Sequence, residues 1–176
     1  MARTEVRLTG FGGQGVVLAG IILARAAMYD DKEVAQNQSF GPEARGGACQ
    51  SGVVISDKPI LYPYVDEPDI LVAMSQEALD KHIKSLKEGG TLIIDSDMIT
   101  RMPEKSGIII SKVAATSTAT EKLGKGILAN IIMLGALSSL AGIVSKKAMN
   151  RAVKESVPKG TEEINLKALE EGCPEL

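Results

Sequence analysis

The feature that most constrains the fold is a glycine-rich turn, TGFGGQG at residues 9–15, between two apolar segments. Its glycines have the spacing G-x-G-x-x-G. The preceding VRLTG predicts a short strand, and the small, apolar residues 15–29 predict a helix that begins at the turn. A second strand is predicted for EVAQNQ, residues 33–38. A strand, turn, helix and strand within ~30 residues have the size of one βαβ unit.

The rest of the chain continues this alternation. Strands are predicted for GVVIS, ILVAM, TLIID and GIIIS, the last three of them buried, and a short edge strand is possible at residues 60–62. A capped helix is predicted between the second and third of these, with Ser75 as its N-cap and glycines 89–90 at its end. Further helices are predicted for residues 114–123, 127–142, 145–157 and 161–172, the last two with Ser145 and Thr161 as caps.

This pattern predicts one three-layer α/β/α domain over residues 1–176, with a mostly parallel, mixed sheet. Ligands of such sheets bind beyond the carboxyl ends of the strands. The candidate segments there are residues 10–15, 38–47, 75–76 and 95–97.

Composition narrows the possible partners. The formal charge is −2, Lys and Arg never run longer than a pair, and the chain has two Phe, three Tyr and no Trp. Nucleic acid and anionic membrane surfaces are therefore not expected partners.

The apolar segment 127–144 has about the length of a membrane span, but polar residues such as Asn130 interrupt it and favour a buried core helix. The N-terminus has no signal-peptide pattern, and Cys49 and Cys173 lie far apart, which predicts two reduced thiols in a cytoplasmic protein.

The glycine turn allows three interpretations. Glycines permit positive φ and close approach of a ligand, and the following helix N-terminus attracts anions. Binding of NAD or FAD would also require an acidic residue ~20 positions on. That window contains the neutral QNQ, residues 36–38, whereas the acids of residues 30–33 lie at the wrong end of the strand. A different phosphate or a partner subunit is therefore favoured over NAD or FAD, and tight packing alone stays an alternative.

A second loop, FGPEARGG at residues 40–47, holds Glu43 and Arg45 two residues apart. An arginine on such a loop can offer a bidentate fork to a carboxylate or phosphate. An exposed ion pair without function is an equal alternative.

The two motifs together resemble the gamma subunit of the 2-oxoacid:ferredoxin oxidoreductases. The resemblance extends over essentially the whole chain, through LTGFGGQGVVLAGIILARAA, SFGPEARGGACQSGVVISD, YPYVDEPDILVAMSQEA, LKEGGTLIIDS and ANIIMLGALSSLAGIVS. The sequence is most similar to the 2-oxoglutarate branch, with the 2-oxoisovalerate and pyruvate branches close to it.

The resemblance implies a complex of anaerobic metabolism that decarboxylates a 2-oxoacid and transfers the acyl group to coenzyme A and electrons to ferredoxin. Thiamine diphosphate, Mg²⁺ and iron–sulfur clusters are expected on other subunits, with alpha, beta and in some complexes delta subunits as partners. This chain would help form the coenzyme A side without a catalytic group or metal ligand of its own. The residues expected there are Gly12, Gly13, Gln14, Gly15, Glu43, Arg45 and Gly46. The alternative function is a free-standing Rossmann-like nucleotide-binding domain that uses the glycine turn, residues 10–15. Separated from its partners, the isolated chain could form a homodimer.

Four other residues invite a functional interpretation. His82 is the single histidine and is expected to be exposed on a helix. Asp95 and Asp97 end a strand, where capping is favoured over a Mg²⁺ contact. Asn130 is polar within an apolar helix, which predicts a buried hydrogen-bond partner and a structural or interfacial role.

Overall fold

The computed structural model describes residues 3–40 and 48–173. Within them, six strands form one sheet in the order β2-β3-β1-β4-β5-β6. The strands are β1 (Arg3–Phe11), β2 (Glu33–Phe40), β3 (Ala48–Ser56), β4 (Ile70–Ala73), β5 (Thr91–Asp95) and β6 (Ile109–Val113).

The sheet is mixed because one strand runs against the rest. β1, β4, β5 and β6 are parallel neighbours, whereas β3 pairs antiparallel with both β1 and β2. β3 therefore lies between the two strands that the glycine turn and its helix connect. The predicted mostly parallel, mixed sheet is confirmed.

The described residues contain six α-helices: α1 (Val16–Tyr29), α2 (Gln76–His82), α3 (Ala115–Ser117), α4 (Ala129–Ala141), α5 (Lys146–Ser156) and α6 (Glu162–Glu171). A π-helical turn, Thr118–Lys122, extends α3, and a short 3-10 turn, Gly126–Leu128, leads into α4. The caps predicted at Ser75 and Ser145 are confirmed, since each hydroxyl accepts a hydrogen bond from the N–H three residues later. Thr161 was predicted to cap α6, but its hydroxyl donates to the carbonyl of Pro158 instead.

The two faces of the sheet carry cores of different size. The larger core joins α1, α4, α5 and α6 to one face, and nine of the thirteen residues of α4 are buried in it. The smaller core joins α2 to the other face through residues such as Leu71, Leu79 and Leu92. The three-layer architecture is confirmed, and α4 is the buried core helix that its composition predicted. The described residues include no helix that is both long and apolar enough to cross a membrane.

Besides the cap at Thr161, three local predictions were wrong. Residues 60–62 form no strand, because prolines stand on both sides of them and side chains of β1 bind the carbonyls that follow. The GIIIS segment forms the exposed edge strand β6 rather than a buried strand, with Ile109 64% exposed. The helix after Ser75 ends at His82 and continues only as a short 3-10 turn, Ile83–Ser85.

Candidate functional site

The carboxyl ends of β1, β4 and β5 meet beside a cleft of about 280 Å³. The glycine turn forms one wall of this cleft, and the 3-10 turn before α4 forms another. Most of its lining is apolar or backbone; the lining residues are Phe11, Gly13, Gln14, Met74, Met98, Thr116, Gly126, Ile127 and Ala129. The turn thus lies at the edge where the sequence predicted a ligand, and a cleft adjoins it.

The conformation of the turn requires glycine at two positions. Gly13 has φ +104° and Gly15 has φ +74°, both in the left-handed region that a side chain disfavours. Gly15 is also the N-cap residue of α1, and it offers no side chain to the first-turn N–H groups. Since the first turn of α1 contains no acidic residue either, the positive end of the helix dipole is uncompensated there. This arrangement can accept an anion.

Gln14 ties the turn to the neighbouring strand. Its Oε1 accepts a hydrogen bond from the N–H of Phe11 at 2.9 Å, and its Nε2 donates to the carbonyl of Met74 at 2.7 Å. Gly10 leaves the space for this side chain, because a Cβ there would lie 2.4 Å from Oε1 of Gln14. The amide of Gln14 therefore holds the end of β1 against the end of β4.

Asn130, near the start of α4, supports the turn from behind. The side chain is 3% exposed, and its Nδ2 donates to the carbonyl of Gly15 at 3.0 Å. A Cβ on Gly15 would lie 2.3 Å from the same nitrogen, so only glycine fits. The expected buried partner is thereby found, and the role of Asn130 within this chain is structural.

The order of the strands also disfavours a dinucleotide-binding site at the turn. β3, and not β2, is the neighbour of β1, so the strand end that would carry a ribose-binding acid is displaced from the turn. Asp30 lies at the opposite edge, where its carboxylate accepts hydrogen bonds from the backbone and hydroxyl of Ser145. NAD or FAD binding by a free-standing domain is not favoured.

Asp95 and Asp97 organise the chain next to the cleft. Asp95 is fully buried and accepts a hydrogen bond from the hydroxyl of Thr116 at 2.6 Å, and Asp97 accepts one from the N–H of Ser117 at 2.7 Å. Burial raises the pKa of the Asp95 carboxyl, while the hydrogen bond from Thr116 opposes that rise. The capping interpretation is confirmed. Because Thr116 lines the cleft, Asp95 also positions one of its walls.

His82 is half-buried, so the prediction that it is exposed was wrong. Helix α2, which ends at His82, packs against β1, the strand that carries Arg7. Burial, followed by the charges of Arg7 and Lys81, lowers the pKa of the imidazole to about 4. The periodicity of the helix did not reveal this, because β1, against which α2 packs, lies about 75 positions earlier in the chain.

Several sequence-based candidates lie apart from the cleft or cannot be placed. Glu43, Arg45 and Gly46 lie outside the described residues. Cys49 is buried, Cys173 is exposed, and both are free. Within the described ranges, no group of three or more His, Cys, Asp or Glu side chains could hold a metal ion.

Sequence reasoning missed several residues that line the cleft, including Met74, Met98 and Ile127. No local pattern distinguished them from core residues, and they meet only because three strand ends and the start of α4 converge. Thr116 belongs to the hydroxyl-rich segment SKVAATSTAT, which was the one available signal for its part of the wall.

Together, the mixed sheet, the glycine turn and the adjoining cleft define an α/β domain with a cleft at the carboxyl edge of its sheet. The chain belongs to the pyruvate ferredoxin/flavodoxin oxidoreductase family, which matches residues 5–175. The family resemblance inferred from the two glycine motifs is confirmed.

Individual relatives are similar over nearly their whole length. The chain is 54% identical to 2-oxoglutarate synthase subunit KorC of Methanocaldococcus jannaschii, over 97% of this chain and 92% of the relative. It is 52% identical to the protein of the same name from Methanothermobacter marburgensis, over 97% and 95% of the two chains. The crystal structure of a keto/oxoacid ferredoxin oxidoreductase gamma subunit from Geobacter sulfurreducens PCA matches with a TM-score of 0.86 at 45% identity, covering 96% of this chain and 95% of that one.

Proposed function

We propose that this chain is the gamma-type subunit of a 2-oxoglutarate:ferredoxin oxidoreductase. The complex oxidatively decarboxylates the oxoacid and yields acyl-coenzyme A, CO₂ and reduced ferredoxin. The observation that carries this proposal is the identity of 54% and 52% to two proteins named 2-oxoglutarate synthase subunit KorC, over nearly the full length of each. The cytoplasm is the proposed location, in keeping with two free thiols.

The proposed division of labour leaves the redox chemistry to other subunits. Thiamine diphosphate with Mg²⁺ and the iron–sulfur clusters are assigned to partner subunits of the alpha, beta and delta types, through which electrons reach ferredoxin. This chain contributes a binding surface. The described residues at the carboxyl edge supply backbone N–H groups, apolar walls and a hydroxyl to such a surface.

Coenzyme A is the ligand proposed for this edge. Its phosphates suit the uncapped start of α1 beside Gly12 and Gly13, which are both exposed. Its apolar arm suits the cleft next to the turn. Gln14 would contribute by shaping the turn, since both atoms of its amide already bind backbone groups. Arg45, with Glu43 and Gly46 in the second loop, is the proposed anion contact.

Assembly provides the first test. Co-expression of this chain with the neighbouring alpha, beta and delta genes, followed by purification without oxygen, is expected to yield a complex that reduces ferredoxin when 2-oxoglutarate and coenzyme A are present. The same preparation without this chain is expected to lose that activity. A chain that stays alone, with unchanged ferredoxin reduction by the other subunits, would contradict the proposal.

A negative charge in the turn tests the phosphate contact. In the assembled complex, Gly12→Asp is expected to raise KM for coenzyme A about 10-fold, as one charge-assisted contact of ~1.4 kcal/mol is replaced by repulsion. KM for 2-oxoglutarate is expected to stay unchanged. Ser139→Asp is the matched control, because this exposed residue near the end of α4 carries the same charge change to the opposite edge of the sheet. Equal effects of the two variants, or none, would rule out the turn as the phosphate site.

A further inference from the structure

The segment between β3 and β4 carries an exposed aromatic and apolar surface. Leu61 is 95% exposed, Tyr62 50% and Tyr64 56%, and the two rings stand edge to face with centroids 5.6 Å apart. Two of the three tyrosines of the chain are thus exposed within one short stretch. We refer to Leu61, Tyr62 and Tyr64 as the tyrosine surface. Tyrosine is enriched both in protein interfaces and among the few residues that carry most of their binding energy.

The backbone beneath the tyrosine surface is held in place by the sheet. Arg7 donates from its guanidinium to the carbonyl of Val65, and Arg3 donates to the carbonyl of Tyr64 at 3.4 Å. The side-chain amide of Asn37 donates to the carbonyl of Pro63 at 2.9 Å. These contacts, together with the fixed φ of proline, order the segment without using the exposed rings themselves.

A buried side chain adds a further anchor. Val65 is 7% exposed and packs over Gly52 of β3, where an added Cβ would lie 3.1 Å from a methyl group of Val65. The segment therefore points one side chain into the sheet and presents its neighbours to solvent. Such preorganisation lowers the entropy that a partner must remove on binding.

The rim of the tyrosine surface is acidic. Asp66 and Glu67 follow it directly and are exposed, and Asp66 also accepts a hydrogen bond from the hydroxyl of Tyr62 at 2.8 Å. Lys58 is the exposed cation of the same segment, while the cations beneath it, Arg3 and Arg7, bind backbone carbonyls. A matching surface would therefore combine an apolar pocket with a basic rim.

We propose that the tyrosine surface is the anchor by which this chain docks onto another protein chain, whose complementary site is an apolar pocket rimmed by Lys and Arg. The inference rests on the proposed function in one respect, namely that the partner is another subunit of the same complex. The surface is separate from the carboxyl-edge cleft, so docking here leaves that cleft open to a ligand.

The test measures binding of this chain to a complex of the remaining subunits prepared without it. Leu61→Ala and Tyr64→Ala are each expected to weaken binding about 10-fold or more, the scale of a hot-spot truncation. Both side chains are exposed, so the melting temperature of the isolated variants is expected to match the wild type. Leu140→Ala is the matched control, because Leu140 is 45% exposed on a different element, and it is expected to bind like the wild type.

Charge reversal tests the chemistry of the partner. Glu67→Lys is expected to weaken binding several-fold at low salt and to lose this deficit near 1 M salt, where the Debye length is about 3 Å. Tighter binding of Glu67→Lys would overturn the assignment of a basic rim.

The outcomes separate the two proposals. If the wild-type chain fails to join the other subunits, the proposed function fails and takes this inference with it. If the wild type joins and the Leu61 and Tyr64 variants join with unchanged affinity, the inference alone fails. It fails as well if these variants abolish only self-association of the chain, since the tyrosine surface would then face a second copy.

Discussion

A double-mutant cycle between Gly15 and Asn130 tests how the turn is held. Gly15→Ala would place a methyl group 2.3 Å from Nδ2 of Asn130 and force it to move, breaking the hydrogen bond to the Gly15 carbonyl. Asn130→Ala would remove the same hydrogen bond and also remove the obstacle. The two single variants therefore damage one contact by different routes, and their combination should cost less than the sum.

The magnitudes follow from the local geometry. An alanine at φ +74° costs ~1–2 kcal/mol in backbone strain, and the forced displacement of a buried side chain adds ~1–3 kcal/mol. Asn130→Ala loses ~1 kcal/mol for the hydrogen bond and ~1 kcal/mol of packing. No carbonyl is left without a partner, because the N–H of Ala19 also donates to Gly15 at 3.0 Å. In the double variant the displacement cost disappears, so we expect a coupling free energy of about 2 kcal/mol.

The assay is thermal and guanidinium unfolding of the isolated chain, followed by circular dichroism at one protein concentration. At roughly 2–4 °C per kcal/mol for a domain of this size, the summed cost of ~2–5 kcal/mol means that Gly15→Ala is expected to lower Tm by about 4–20 °C. Asn165→Ala serves as the control partner: this buried asparagine of α6 donates to the carbonyl of Thr161 at 2.8 Å and is expected to add to Gly15→Ala without coupling. Free energies of Gly15→Ala and Asn130→Ala that add within about 0.5 kcal/mol would refute the reasoning.

Three further predictions concern single residues. The ring protons of His82 are expected to titrate in NMR with a midpoint near pH 4, and a midpoint near 6.5 would contradict the burial of the ring. Because the folded pKa lies below the ordinary 6.5, the contribution of His82 to stability is present above pH 6.5 and is lost as pH falls toward 4. The folded pKa of Asp95 is raised above the ordinary 3.8, so the wild type is expected to lose stability relative to Asp95→Asn as pH rises through the folded pKa. A difference in unfolding free energy between the two proteins that does not change with pH would contradict this. Arg45→Ala is expected to raise KM for coenzyme A in the assembled complex more than KM for 2-oxoglutarate, and an unchanged affinity for coenzyme A would remove Arg45 from the site.

Local chemistry predicted the parts of the site that depend on neighbouring residues. The spacing of the glycines predicted a turn with positive φ, and Gly13 and Gly15 adopt it. The hydroxyls of Ser75 and Ser145 predicted helix starts, because a cap contacts an N–H only three positions on. Asp95 and Asp97 were assigned to capping for the same reason.

Most failures occurred where distant parts of the chain decided the outcome; the cap predicted at Thr161 is a local exception, since its hydroxyl binds the carbonyl of Pro158 three positions away. The exposure of β6 depends on its place at the end of the sheet, and a run of isoleucines looks alike in a central and an edge strand. The half-burial of His82 goes with the packing of α2 against β1, and the path of residues 60–62 depends on side chains of β1 that bind the following carbonyls.

By itself, the sequence determined the α/β class, the glycine turn, the buried helix α4 and the family, because these follow from local periodicity and from motifs that are contiguous in the chain. Only the tertiary structure decided that β3 separates β1 from β2, that Gln14 binds Met74 and that Asn130 binds Gly15. These contacts join residues 60 and 115 positions apart. The type of a side chain determines which hydrogen bonds it can form, but the packing of the sheet and helices determines which partners lie within hydrogen-bond distance.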